Sequence, residues 1–424
     1  MRQLPDQRKR RDYEVAELVT GCLSLFLFKE TTRNAYNNDR KAKQLRDNYF
    51  KVFKLRLPHM DTVDKFLCML PPEKLEHLKA ALLSSLIEQR ILHRFKFLGK
   101  YFTVAIDGTG TNSYKENDEQ GGRIKKTSKN GVTTYMYHVV EAKLVTPSGL
   151  AISLGSEWVQ NLQDRNFNKQ DCEQRAFERL AKKIKQYFPR LPICILADGL
   201  YPNQTFMKTC KDNGWSFIVV LKDDNLKTLQ EDIEDVENKK RRSLECNHRE
   251  AKGKTHITTI YNYIDEMFTY AGHRVYWVSC IETIVHYDND GVQKGDQPTP
   301  TRFVFLTSQE TDDKNVRSIC EAGRLRWNIE NPGFNTQKNG GYNLGHKFSR
   351  KSFTSYQNYY QCMQIAHMIN QLVEKSSNIA YVLKKDAKLT VKHIWKQLIG
   401  TLTYIVISEA DFMTEQRYQI RLAG

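Results

Sequence analysis

Three acids, Asp107, Asp198 and Glu330, have the type and placement to do chemistry together. Asp107 closes the β-branched and aromatic run YFTVAID, and Asp198 closes a second apolar run, LPICILAD. Asp198 follows Asp107 by 91 residues (198 − 107 = 91), and Glu330 comes later, on a stretch of helical spacing. An Asp before Gly is ordinarily a turn residue, so each acid alone carries little. In α/β proteins sites gather at strand ends, and acids from separate elements can converge there. Hard divalent cations take oxygen ligands, and Mg²⁺ is usually held by a few carboxylates, water and substrate phosphate. Two such ions roughly 3.5–4 Å apart serve in-line displacement at phosphorus.

Glu330 lies in RLRWNIENPGFNTQKNGGYNLGH, residues 324–346. Arg326 stands one helical turn before it, so both project from one face. Arg324, Lys338, His346 and Lys347 surround the acid in sequence, with Trp327, Phe334 and Tyr342 between them. The plain alternative is a surface ion pair. Pro332 adds information, because proline stops or kinks a helix. The expectation is a helix that kinks or ends at Asn331–Gly333. A carboxylate near a helix C-terminus costs about 0.3–1 kcal/mol against the dipole, a sign that a bound cation reverses.

The elements that must position these acids can be read from pattern. Residues 1–98 read as helical, with Asp61 or Thr62 as a cap and Pro71-Pro72 opening a third amphipathic stretch. From Tyr101 the period becomes that of strands. After Asp107, residues 111–130 read as a polar loop bearing Arg123, Lys125, Lys126 and Lys129; residues 133–159 read as a hairpin turning at Pro147-Ser148-Gly149. A helix over 169–188, the strand ending at Asp198, a helix over 203–213 and a strand over 216–222 follow. The expected fold is α/β: a mixed-sheet core (99–222 and 302–350), a β-rich insertion at 223–301, and helical regions at 1–98 and 351–424.

With 65 Lys+Arg against 49 Asp+Glu, the chain of 424 residues carries a net charge of +16. A polyanionic partner follows, nucleic acid ahead of membrane. The basic runs at 8–11 and 40–56 either hold DNA phosphates or are solvated helix faces. No run reaches the ~20 apolar residues of a membrane helix, and the N-terminus lacks a signal-peptide apolar region. Nine scattered cysteines without a C-x-x-C pair suit reduced thiols and a cytoplasmic protein.

The segments VAIDGTGTNS, ILADGLYPN and the stretch around Glu330 resemble bacterial insertion-sequence transposases of the DDE type, with a ribonuclease-H-like core. The resemblance spans about 100–370. It implies Asp107, Asp198 and Glu330 as catalytic metal ligands for Mg²⁺, with Mn²⁺ as a substitute. It also implies double-stranded DNA as partner, at terminal inverted repeats and target, a homodimer pairing two ends, and a nucleoid-associated place in the cytoplasm. One subgroup carries Tyr-x2-Arg-x3-Glu-x6-Lys. Arg326 and Glu330 fit it, whereas Gly323 stands at the Tyr position and Gln337 at the Lys position, with Lys338 next. The implied DNA contacts are Arg324, Arg326, Lys338, His346, Lys347, Lys125 and Lys126. In that subgroup a tryptophan of the insertion can stack on a flipped base; Trp277 is the candidate here, although its Tyr-Trp-Val setting favours a buried core tryptophan. His138 reads as strand packing. The rivals are an inactive transposase-derived DNA-binding protein and an actin-like sugar kinase or ATPase, whose phosphate loop Asp107-Gly-Thr-Gly-Thr resembles.

Overall fold

The computed structural model describes residues 1, 3–9, 11–117, 122–128, 130–160, 171–250, 254–294, 298–350, 352–386, 388–408 and 420–423. Lys129 and part of the helix expected over 169–188 lie outside them. Five helices open the chain: α1 Val15–Leu27, α2 Arg33–Asp39, α3 Lys43–Phe53, α4 Met60–Leu67 and α5 Pro72–Glu88. Helix α1 is set by a reciprocal Glu14–Glu17 capping box. Helix α5 begins at a proline, whose missing N–H costs nothing in the first turn. Helix α4 starts a residue ahead of the expected caps, and His59 Nδ1 accepts from the Asp61 N–H.

The strands are β1 Phe102–Tyr114, β2 Ile124–Thr127, β3 Thr133–Val145 and β4 Ala151–Val159, then β5 Ile193–Ala197 and β6 Ser216–Val220. Helices α6 Glu173–Tyr187 and α7 Gln204–Asn213 lie between the later ones. Strand β3 runs antiparallel to β1 and to β4, while β1, β5 and β6 are parallel. The order β4-β3-β1-β5-β6 is that of a ribonuclease-H-like core. Helix α8 Lys227–Lys240 leads to β7 Arg242–Glu250, β8 Thr255–Tyr263, β9 Phe268–Tyr270 and β10 His273–His286. Strand β11 Thr301–Thr307 pairs antiparallel with β6 on one side and β10 on the other. The inserted strands therefore prolong the core sheet.

Two departures from the sequence reading concern the first strand. It does not turn at Gly108 but continues to Tyr114, and Ile124–Thr127 of the expected loop forms β2 on β3. A Cβ at Gly108 would lie 2.5 Å from the Glu173 carboxylate, and one at Gly110 2.7 Å from Met136 Sδ. The glycines admit neighbours packed over the strand. They do not make a phosphate loop, and this removes the feature that favoured a kinase or ATPase.

Both faces of the sheet are covered, so its central strands are apolar on both sides. Phe102, Val104 and Ile106 face the core shared with α6 and α7. Ala105 faces the other core, built with α1, α4 and the long helix α11 Phe353–Glu374. Helices α9 Val316–Arg324 and α10 Thr336–Asn339 precede α11; α12 Ser377–Lys385 and α13 Val391–Tyr404 follow it. Among the described residues no helix is long and apolar enough to cross a membrane.

Helix α11 is enclosed on almost all sides, so its polar residues find partners inside. Asn358 Nδ2 donates to the carbonyls of Leu67 (2.8 Å) and Leu70 (2.7 Å) at the end of α4. Nearby, buried Lys79 donates to Ser153 Oγ at 2.7 Å and Ser156 Oγ at 3.1 Å. Glu76 accepts from the Ser156 N–H at 2.9 Å and from Lys183 at 3.2 Å. Removing one partner from such a buried network leaves an uncompensated charge, at about 3–5 kcal/mol, whereas replacing all of its charged members together by apolar residues is often near neutral. Glu76→Ala and Lys79→Met are therefore each expected to lower the urea midpoint sharply.

Candidate active site

The spacing of 91 residues between the aspartates is the register of two neighbouring strands. Phe102 pairs with Ile193 and Ala105 with Leu196, an offset of 91 (193 − 102 = 91). Two residues beyond the last pair, the same offset sets Asp107 beside Asp198. Adjacent strands lie about 4.8 Å apart and aligned residues share a face. Asp107 shares the face of Ala105, and Leu196 packs in that same core. Both acids therefore lie at the end of the parallel pair, on the α11 side.

Glu330 reaches this face through an irregular helix. Helix α9 ends at Arg324, and residues Ile329–Asn335 form a π-helical turn that packs on β1. Pro332 has no N–H to give and its ring clashes with the carbonyl four residues back. The turn widens instead, and the Thr336 N–H reaches back to the Asn331 carbonyl. The helix does not end at Asn331–Gly333: it passes through Pro332 as a widened turn and continues into α10. Such turns recur at functional sites. Arg326 Nη1 donates to Glu330 Oε1 at 2.7 Å, with the guanidinium nearly buried and the carboxylate half-open.

The electrostatics tie these groups together. Burial first, then the charge of Glu330, push the Asp107 carboxyl up to about 7; the Gly108 N–H and Arg326 oppose the rise and Glu173 adds to it. Burial also pushes the Tyr201 hydroxyl up, reinforced by Glu173, Asp107 and Asp198. The acids thus lie within one another's field, with more negative than positive charge. A divalent cation fits that imbalance and the all-oxygen donor set. Among the described residues no three His, Cys, Asp or Glu side chains are already drawn into a metal-holding group.

Sequence reasoning passed over two residues here, Glu173 and Tyr201, and took a third, His138, for packing. Glu173 Oε1 lies 2.9 Å from His138 Nε2, and the pair covers Gly108 beside Asp107. Their signal was only the absent side chain at Gly108. Tyr201 is buried, and its hydroxyl has no hydrogen-bond partner among the described residues.

The remaining candidates are spread around this centre. Lys338 on α10 and Lys125 and Lys126 on β2 are exposed. Lys347 lies over the Tyr114 ring at 4.1 Å, and Arg123 stacks on that ring at 3.5 Å. His346 is half-buried, its ring 4.8 Å from Phe348. Arg324 is held by Glu282 of β10 through two bonds, 2.6 and 2.9 Å, so its guanidinium is already engaged. Trp277 must be corrected: at 1% exposure in the core it offers no face to a base, whereas Trp327 is 50% exposed. Trp327 lines a cavity of about 440 Å³ with Arg324, Arg326, Arg302 and Lys222. Gln337 is fully buried, and a Cβ at Gly323 would lie 2.8 Å from the Phe305 ring. Neither position can take the Lys or Tyr of the subgroup signature without rearrangement.

The strand order, with Asp107 and Asp198 where the pairing of its first and fourth core strands ends, defines a protein with a ribonuclease-H-like core. Residues 164–367 match the family model of the transposase DDE domain, so this stretch of the chain is similar to DDE-type insertion-sequence transposases. The match contains Asp198 and Glu330 and begins after Asp107, which is joined to them by the β1–β5 register. No curated protein matches the chain.

A carboxyl whose folded-state affinity for a proton exceeds its unfolded one favours folding at low pH, and that advantage is lost as pH rises through the folded value. For Asp107 the window runs from about 4 to about 7. In metal-free protein Asp107→Asn is expected to raise the melting temperature at pH 8, with a gain that shrinks toward pH 4. Mg²⁺ should stabilise the wild type more than the variant.

Proposed function

We propose that this protein is a transposase that binds the terminal inverted repeats of its insertion sequence and cuts and transfers the DNA ends by metal-dependent phosphoryl transfer. The observation that carries the reading is the register alignment of Asp107 with Asp198, together with a Glu330 that raises the proton affinity of Asp107. In this reading Asp107, Asp198 and Glu330 hold Mg²⁺, or Mn²⁺ in its place. The bound metal supplies activation of the attacking oxygen and stabilisation of the leaving one. Arg326 orients Glu330 and offers its remaining donors to a phosphate, since guanidinium binds both groups in a planar fork.

DNA approaches over the surface that carries Lys338, Lys347, His346, Lys125 and Lys126. Arg324 acts by tying the acid-bearing helix to β10 while its remaining surface faces the cavity. The helical region 1–98 contributes further contacts to the repeat, 99–222 and 302–350 form the catalytic core, and 223–301 is its insertion. The C-terminal helical region is 351–424. Two copies pair the two ends, in association with the nucleoid in the cytoplasm.

The test is nicking of duplexes that carry the inverted repeats flanking the gene. Cleavage is expected with Mg²⁺ or Mn²⁺, to stop on chelation, and to fall at least about 1,000-fold in Asp107→Ala, Asp198→Ala and Glu330→Ala. Activity that survives all three substitutions would exclude this site. Repeat binding should persist in the three variants and weaken with salt, by a log–log slope of about −0.9 per phosphate contact. Repeat binding by a wild-type chain that never cuts is the outcome that favours an inactive descendant.

A further inference from the structure

A widened turn has fewer of its own hydrogen bonds in register, so its position depends on what lies beneath. Gln337, two residues past the π-helical turn, is fully buried. Its Nε2 donates to Gln364 Oε1 at 2.8 Å and to His367 Nδ1 at 2.9 Å. Gln364 Nε2 returns to Gln337 Oε1 at 3.2 Å, so the two amides hold each other reciprocally. Lys143 of β3 donates to Gln364 Oε1 at 2.7 Å. Its stem passes under Gly333, where a Cβ would lie 3.4 Å from Lys143 Cδ, and its ammonium lies 5.5 Å from the Phe334 ring centre.

His367 completes the seat. Its Nδ1 also lies 3.2 Å from Gln371 Nε2, so that nitrogen accepts from two amides and the ring proton is on Nε2. Nε2 is turned to the backbone of Pro332 without completing a hydrogen bond of good geometry. Burial, aided by Lys143 and Lys29, keeps the imidazole neutral. An apolar residue at 337 would bury as readily and need no partners. What the amide adds is a fixed depth and register, because a buried polar group is satisfied in one arrangement only.

We infer that Gln337 and His367 are positioning residues for Glu330, their buried contact fixing the widened turn on α11 so that Glu330 stays within reach of Asp107. The inference rests on the reading of Glu330 as a metal-holding acid. Neither residue touches DNA or metal in this role.

The test uses the full chain. In metal-free protein, Gln337→Leu is expected to speed amide exchange across residues 329–339 about ten-fold while β1 exchanges as in the wild type. With Mg²⁺ and duplex carrying the flanking repeats, kcat should fall about ten-fold at unchanged KM for DNA. His367→Asn, which keeps an acceptor near the place of Nδ1, should recover most of the protection and kcat lost in His367→Leu. Wild-type exchange and kcat in Gln337→Leu overturn the inference, as does equal loss in His367→Asn and His367→Leu. If Gln337→Leu does not fold, the His367 pair decides. Glu330→Gln separates the two failures. Normal cleavage by Glu330→Gln overturns the reading of Glu330, leaving the exchange result to judge the anchor. Its inactivity beside a normal Gln337→Leu overturns the anchor alone.

Discussion

Neighbouring carboxylates repel one another, and the surroundings of Asp107, Asp198 and Glu330 hold them within one another's field regardless. The parallel register of β1 and β5 fixes the first two as neighbours, and nothing local can separate them without breaking the central sheet. The cost appears in the raised proton affinity of Asp107, whose largest cause is burial and whose second is Glu330. Arg326 offsets part of it by pairing with Glu330. Much of the remaining architecture can be understood as support for this unfavourable grouping.

That support is polar as well as apolar. An enclosed helix such as α11 would ordinarily be apolar all round. Here Asn358, Gln364, His367 and Gln371 are buried on it and hydrogen-bonded to neighbouring elements. Apolar packing alone tolerates sliding, whereas these contacts are made in one register. Strand β3 joins in through Lys143, and Tyr360 of α11 donates to Glu141 at 2.9 Å. The interior beneath the acids thus sets position more than it adds stability, since buried ion pairs are poor stabilisers.

On the other side, the inserted strands bear on the same centre. Because β11 joins β6 to β10, the insertion is continuous with the sheet, and Glu282 of β10 grips Arg324 at the end of α9. The helix that leads to Glu330 is thus held by the insertion at its end and by α11 beyond the π-helical turn.

The sequence by itself determined the strand and helix order of the core, the place of Asp198 just past the end of its strand, and the local irregularity around Pro332. Those follow from local causes: side-chain period, turn residues and a missing N–H. It also carried the family resemblance, on short motifs around each acid. It did not reveal that β1 runs on through Gly108 and Gly110, because those glycines answer to Glu173, His138 and Met136, distant in the chain. Trp277, the candidate for a flipped base, is the core tryptophan that its Tyr-Trp-Val setting favoured. The seat of Gln337, Gln364, His367 and Lys143 was invisible because its members too are distant in the chain. Burial and partner choice are set by which elements pack together, and a spacing of 91 residues becomes proximity only when two strands pair in that register.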